Sequence, residues 1–300
     1  MEHILHALAH ALLHAAKETA VLLPLLFLTY LGLELLERHA GEKTQRLVAR
    51  SGKAGPLIGA LLGAIPQCGF SAAGAGLYAG RVITTGTMLA IFWSTSDEML
   101  PLLLMAPDFP LGKIVKILAV KVVIGMAAGF AVDAIARLLR RRDGADDVPS
   151  GIGEMCRSGH CDCDHRPMWM AALIHTAQIV LTVFAVSAAL HTVFELIGED
   201  VLATFMGNTP ILACLLSALV GLIPNCTSSV VITTLYIEGV LSTGAMLSGL
   251  LVGGGVGLLV LFRANRPVKD TLRVTAILLA VGAMVGVVFD ALSLGQWLGI

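Results

Sequence analysis

Ile65-Pro66-Gln67-Cys68-Gly69-Phe70-Ser71 and Ile223-Pro224-Asn225-Cys226-Thr227-Ser228-Ser229 sit in the middle of two apolar segments, at 56–79 and 210–238. Proline removes a backbone donor and interrupts a helix. In hydrocarbon the freed groups must be buried in protein or line a polar cavity. The two interruptions are 158 positions apart, and the same offset aligns residues 59–90 with 217–248 without a gap, fourteen of the 32 pairs being identical. The identities include Gly63 with Gly221, Pro66 with Pro224, Cys68 with Cys226, Ser71 with Ser229, Leu77-Tyr78 with Leu235-Tyr236 and Thr85-Gly86 with Thr243-Gly244. Shared apolar composition does not align Pro, Cys, Tyr and Gly together. With a three-residue shift upstream, His14 meets His175 and Glu34 meets Glu195, which extends the duplication to two halves of the whole chain.

The medium follows from composition. The chain has 300 residues, 56% hydrophobic and 14% charged, with mean hydropathy +0.85. That is more apolar surface than a soluble core of this size buries, so part of it faces lipid. A bilayer span needs roughly 20 mostly apolar residues, and such stretches lie at 19–36, 83–105, 114–136, 170–194, 241–262 and 272–291. The opening residues are rich in Glu and His and are expected to hold no cleaved signal peptide. Net charge of −1 says nothing about partners. Cys68, Cys214 and Cys226 lie in apolar segments, while Cys156, Cys161 and Cys163 crowd one polar loop. This is not the dispersed pattern of a secreted disulfide scaffold.

Each interrupted segment suits either one broken span or a re-entrant hairpin. Basic residues, which collect in cytoplasmic loops, distinguish the two. They concentrate in 38–53, 137–142 and 263–273, while 198–209 carries only Glu199 and Asp200. Full crossings would put the first two basic loops on opposite sides. Hairpins put all three inside and the acidic loop outside, with the first hairpin entering from the cytoplasm and the second from the opposite face. The expected fold is therefore an all-α integral membrane protein and an inverted repeat, each half holding three transmembrane helices and one re-entrant helical hairpin broken at Pro-x-Cys. An arm of about 10 residues reaches roughly 15 Å, half the hydrocarbon thickness, so the two tips should meet near the midplane. The expected divisions are a His-rich N-terminal amphipathic helix at 1–18, a first transmembrane repeat at 19–139, a cytoplasmic Cys/His-rich loop at 140–167 and a second repeat at 168–300.

The tips offer Gln67, Cys68 and Ser71 from one half and Asn225, Cys226, Thr227, Ser228 and Ser229 from the other, beside half-helix starts with a positive dipole end. These groups suit a small polar or metal-like solute. The plainer account is that Pro and Gly turn the chain and each Cys packs as a small hydrophobe. Ser94-Thr95-Ser96-Asp97-Glu98 adds two adjacent carboxylates within an apolar stretch, which by default mark an ion or proton path. Their aligned positions are Gly255 and Val256, so this feature is not duplicated. The substrate-binding set expected is Gln67, Cys68, Ser71, Ser94, Ser96, Asp97, Glu98, Asn225, Cys226, Thr227 and Ser228.

Two further clusters have metal-ligand density. Cys156, His160, Cys161, Cys163 and His165 fall in one loop, without the spacing of a closed zinc motif, and suit mobile metal capture or sensing. A disordered linker would hold the same residues by chance. His3, His6, His10 and His14 share one helical face, and serve equally for accessory metal binding or as the wet side of an interfacial helix. Lys113 and Lys116 are expected to snorkel. There is no Gly-x-Ser-x-Gly, no P-loop and no His-Glu-x-x-His, so no enzyme activity and no cofactor are expected. Transport would run on an ion gradient, protons included, or downhill.

Through Ile65-Pro66-Gln67-Cys68-Gly69-Phe70-Ser71 and Ser94-Thr95-Ser96-Asp97-Glu98, the chain resembles the ten-segment heavy-metal exporter family, related to the ArsP-type organoarsenical permeases. Members are labelled arsenic efflux proteins or manganese transporters. The resemblance thus implies a multi-pass inner-membrane exporter of a metal or metalloid ion, with lipid and that ion as its partners, a homo-oligomer in keeping with it, and no nucleic acid. The ArsP-like permeases carry closely spaced cysteines at the first tip, whereas Gly69 and Phe70 follow Cys68 here. A three-thiolate site for trivalent arsenic would need Cys68, Cys226 and Cys214 to converge. Thiols favour soft ions, while Asp97, Glu98, Asn225 and carbonyls favour Mn²⁺. A membrane metal sensor and an exporter of a small organic solute are the alternatives.

Overall fold

The structure, a computed structural model, describes residues 54–65, 68–96, 99–106, 109–143, 210–224, 226–265 and 268–300, with scattered helical positions in 23–31 and 169–185. The described residues form helices and turns, with no strand among them. In order these are α1 (Gly55–Gly63), α2 (Cys68–Ala79), α3 (Thr85–Ser94), α4 (Met99–Met105) and α5 (Leu111–Asp143), then α6 (Pro210–Gly221), α7 (Cys226–Ile237), α8 (Thr243–Val252), α9 (Gly255–Ala264), α10 (Val268–Ala291) and the short α11 (Leu294–Leu298).

The duplication seen in the sequence recurs in local structure. Thr84 and Ser242 hold extended backbone and N-cap α3 and α8, accepting from the amides of Thr87 and Ala245. A carboxylate from a later helix then locks each cap. Asp133 on α5 accepts from the Thr84 hydroxyl at 2.7 Å and the Gly86 amide at 2.8 Å. Asp290 on α10 accepts from the Ser242 hydroxyl and from the Gly244 amide at 2.8 Å. Negative charge at a helix N-terminus is favoured by the helix dipole. The ends of α2 and α7 also correspond: the amides of Val82 and Val240 reach back to the carbonyls of Leu77 and Leu235, both at 2.9 Å. Between them Arg81 (φ 59°) and Gly239 (φ 75°) take the left-handed conformation that closes a helix.

Glycine contacts give the directions. Side-chain positions at Gly55 and Gly63 would fall on Thr87 and Ser94, so α1 runs alongside α3 in the same sense. The chain therefore doubles back through α2, and the hydroxyls of Tyr78 and Thr85 lie 3.3 Å apart. α5 runs against α3, with Gly129 and Asp133 beside Gly86 and Gly125 beside Ala90 and Ser94. In the second half Gly221 lies on Gly249, the Ser248 hydroxyl donates to the Cys214 carbonyl at 2.8 Å, and Gly286 and Asp290 lie beside Gly244. Lipid offers no hydrophobic drive for helices to associate, so such close backbone contacts carry the packing. A Cβ at Gly86 would come 2.2 Å from the Gly129 carbonyl oxygen, and one at Gly244 2.3 Å from that of Gly286.

α10 serves as a ruler for both halves. Asp270, near its start, touches the turn before α3, where its carboxylate accepts from the Tyr78 hydroxyl at 2.8 Å and from Arg81 at 3.2 Å. Leu278 lies at Trp93, near the end of α3. Gly282 lies at Val252, the end of α8, and Asp290 at Ser242, its start. α3 and α8 thus start from opposite ends of α10 and run toward each other. From Asp270 to Asp290 the helix rises about 30 Å, the thickness of a hydrocarbon core.

Four stretches are long and apolar enough to cross a membrane: 85–105, 111–139, 243–264 and 268–291. The third is 94% buried, while the windows on α5 and α10 are 28% and 33% buried. Leu57, Ile58 and Leu61 on α1 and Ile211, Leu215 and Leu219 on α6 are exposed as well. Enclosed polar breaks inside an apolar exterior make this an all-α membrane protein. The structure departs from the sequence reading in one respect. The apolar stretches 83–105 and 241–262 are not continuous helices but stop in their middles, α3 at Ser94 and α8 at Val252. Thr95 turns extended (φ −54°, ψ 129°), and Gly255 takes φ 50°.

Candidate functional site

The breaks after α3 and α8 and the starts of α2 and α7 come together where the halves meet. Gly254 lies against the Phe92 ring, and its Cβ position is 3.0 Å from that ring. α2 begins at Cys68, and three residues on, Ser71 packs against Gly257 of α9 so closely that a Cβ there would be 2.6 Å from the Ser71 carbonyl carbon. α7 begins at Cys226, and the Ser229 hydroxyl is 3.5 Å from the Cβ position of Gly253. The starts of α7 and α2 are therefore seated beside the break after α8, the first from the same half and the second across the interface. Phe92 and Trp93 are fully buried here with Leu251 and Val256.

Among the expected binding residues, Ser71, Ser94, Ser96 and Ser228 are buried. The Ser94 hydroxyl donates to the carbonyls of Ala90 (2.7 Å) and Ile91 (3.1 Å). That of Ser96 donates to Ala64 at 2.8 Å, tying the break after α3 to the end of α1. The Ser228 hydroxyl points back to the Ile223 carbonyl at 3.4 Å. Their oxygens keep acceptor capacity while their protons are used within the fold. Cys68, Cys226 and Thr227 are placed as the opening residues of α2 and α7. Their side chains lie outside the described residues, as do Gln67, Asp97, Glu98 and Asn225, the loop residues Cys156, His160, Cys161, Cys163 and His165, and the N-terminal His3, His6, His10 and His14. Among the described residues no group of three or more His, Cys, Asp or Glu is placed to hold a metal.

Cys214 is buried, and its thiol is 3.4 Å from Asp290 at the start of α8. That is the opposite end of α8 from its break, so the third thiol of a three-thiolate site is drawn away from the tips.

One residue of the site is absent from the expected set. Lys121 on α5 has no exposed surface, and its ammonium donates to the carbonyl of Thr95 and, at 3.2 Å, to that of Leu250. Both carbonyls are products of the breaks. The Gly254 amide, which would close a turn onto Leu250 in a continuous helix, bonds to Val252 instead, at 2.7 Å. Thr95 has left helical geometry. Last-turn carbonyls without intrahelical partners carry the negative end of the dipole, and the ammonium sits between two of them. The signal was in the sequence: Lys121, Gly125, Gly129 and Asp133 are spaced by four, and Leu278, Gly282, Gly286 and Asp290 repeat the pattern 157 positions later. Lysine stands on that face only in the first half. Lys113 and Lys116 are less enclosed, and Lys116 caps the Leu298 carbonyl at 2.7 Å at the surface.

A family model described as "Putative, 10TM heavy-metal exporter" matches residues 2–205, more than half of the chain and including the first Pro-x-Cys interruption and the Ser94–Glu98 run. Neither curated proteins nor solved structures yield a match. The interrupted helices, the lipid-facing exterior and this match agree: the chain belongs to the family of 10TM heavy-metal exporters.

Proposed function

We propose that the protein is a secondary-active exporter of a heavy-metal or metalloid ion, a transporter and not an enzyme, built as an inverted repeat whose re-entrant hairpins α1–α2 and α6–α7 present the cargo site at mid-membrane. The observation that carries this reading is the convergence of α3 and α8 from opposite ends of α10, each ending in unwound backbone, with the starts of α2 and α7 both seated beside the break after α8. Such breaks in lipid are tolerated where they enclose a polar site, and half-helix ends facing each other are a transporter's means of holding an ion. The cargo contacts come from Gln67, Cys68, Ser71, Ser94, Ser96, Asp97, Glu98, Asn225, Cys226, Thr227 and Ser228, with one half rocking against the other. Cys156, His160, Cys161, Cys163 and His165 gather metal on the cytoplasmic side, and the basic loops place that side inside an inner membrane. His3, His6, His10 and His14 add a weaker accessory site. No resident cofactor is required, and the cargo is a divalent transition metal such as Mn²⁺ or an arsenical.

Proteoliposome flux against Mn²⁺, Zn²⁺, Fe²⁺, arsenite, methylarsenite and organic solutes tests this. Flux of at least one metal or metalloid is expected, lost in Cys68→Ala or Asp97→Asn and kept when residues 150–166 are deleted. Flux of organic solutes alone overturns the metal reading. Loss of function on loop deletion, with the tip variants active, would make the chain a sensor.

A further inference from the structure

The turns that end α2 and α7 share a backbone but not their surroundings. Residues 79–82 are buried or partly buried, whereas 237–240 are all exposed. Tyr78 is 3% exposed and donates across the interface between the halves to Asp270, which also accepts from Arg81 and Asn265. Its equivalent Tyr236 is less enclosed and meets the first half edge-on, at the Phe109 ring 6.1 Å away. The molecule is thus fastened at the Asp270 end of α10 and open at the Asp290 end. The open end holds the parts of a second fastening with its charges exchanged. The offset of 157 that pairs Asp133 with Asp290 also pairs Lys113 with Asp270, each the third residue of its helix. A cation in a first turn works against the helix dipole, so the sign at Lys113 does not serve its own helix. Where the α2 turn carries the cation Arg81, the α7 turn carries the anion Glu238, one residue before the equivalent position. Both signs are reversed, so attraction is kept. α5 runs against α3 and α10 against α8, which puts Lys113 and Glu238 at the same end, where Lys116 reaches the Leu298 carbonyl. Among the described residues no ion pair joins Lys113 to Glu238.

We infer that the halves exchange one fastening for the other: the Asp270 end opens as Tyr78 and Arg81 leave Asp270, and the Asp290 end closes as the α7 turn moves onto α5 and Glu238 pairs with Lys113. Each pair is partly solvated, so losing one shifts the balance about fivefold and neither holds the molecule irreversibly. The inference deepens the exporter reading and rests on it, naming the two gates between which one half rocks against the other.

The test places spin labels at Gly112→Cys and Gly239→Cys in the full-length chain made otherwise cysteine-free. A side chain at either position meets nothing within 4 Å, and the two flank Lys113 and Glu238. Pulsed dipolar spectroscopy on the purified protein reads the distance between them. A second, shorter distance is expected beside that of this structure, and Arg81→Gln is expected to raise its population relative to the longer one about fivefold. Adding Lys113→Gln reverses that gain, and Lys113→Glu together with Glu238→Lys restores it. A single distance that Arg81→Gln leaves unchanged overturns the inference. So does a shorter population that rises equally with Lys113→Gln present, since closure would then not use the pair. Where Arg81→Gln yields no folded protein, Tyr78→Phe takes its place and is read the same way. No cargo enters these measurements: both distances without metal flux would strike the exporter reading alone, and flux with one unchanging distance would strike the exchange alone.

Discussion

Gly125, Gly129 and Asp133 on α5, and Gly282, Gly286 and Asp290 on α10, form two copies of one device. The glycines admit a helix at backbone contact, and the aspartate caps it. At Gly86 and Gly244 a methyl group would strike both a backbone carbonyl and the capping carboxylate. Gly86→Ala and Gly244→Ala are each expected to cost about 2 kcal/mol or more, because rigid backbone cannot yield. Gly112→Ala, with nothing within 4 Å of the new atom, should stay within about 0.5 kcal/mol of wild type. Unfolding in detergent micelles measures all three. Asp133→Ala removes two hydrogen bonds from a buried cap and is expected to lose roughly 2 kcal/mol, with Asp133→Asn recovering part of it. This device was readable in the chain but evades an ungapped self-match. The offset between halves is 158 through Gly86 and Gly244 and 157 through Asp133 and Asp290, a slip of one residue in the intervening connection.

At the scale of elements, the two connections that end α2 and α7 share their backbone and differ in side chain. Arg81 stands where Gly239 does, in the same left-handed conformation, which a residue with a Cβ adopts at a cost of roughly 1 kcal/mol. The guanidinium offsets it. Arg81 lies over the Tyr78 ring at 5.4 Å and reaches Asp270 of the second half at 3.2 Å, both charged side chains being 29% exposed. Asn265 donates to the same carboxylate oxygen at 3.0 Å. This fastening closes one end of the interface between the halves, and it is tightest where α2 packs along α9. A double-mutant cycle on Arg81→Gln and Asp270→Asn is expected to give a coupling near 1 kcal/mol, reduced by salt, as befits a partly solvated pair. Gly239→Ala, with no such partner and φ 75°, should cost about 1 kcal/mol with no dependence on salt. The Pro-x-Cys interruptions were legible in the sequence as helix breaks. The stops at Ser94 and Val252 were not, because apolar residues flank them on both sides and hydropathy averages over a turn. Ser94-Thr95-Ser96 and Gly253-Gly254-Gly255 were the signs, the Ser94 and Thr95 hydroxyls returning to the preceding turn and Gly255 taking positive φ.

For the whole molecule, the proposed inversion makes a prediction that local stability does not. Arg81 and Gly239 occupy equivalent turns, yet one lies at the Asp270 end of α10 and the other follows the helix that leads to its Asp290 end. In a cysteine-free background, Arg81→Cys and Gly239→Cys should therefore react with a membrane-impermeant thiol reagent from opposite sides. Reaction of both from one side would end the inverted-repeat reading. What the sequence by itself determined is the medium, the helical class, the duplication and the position of the two Pro-x-Cys breaks. All of these follow from apolar content, from the need of backbone groups for partners, and from residue identities at a fixed offset. Tertiary structure alone decided that a helix from each half ends at the same place, that the Cys214 thiol is engaged elsewhere, and that Lys121 lies between two freed carbonyls. A lysine in an apolar stretch reads the same whether it reaches the interface or is enclosed. Only the packing of α3 and α8 against α5 and α10 removes the water that would otherwise have solvated it.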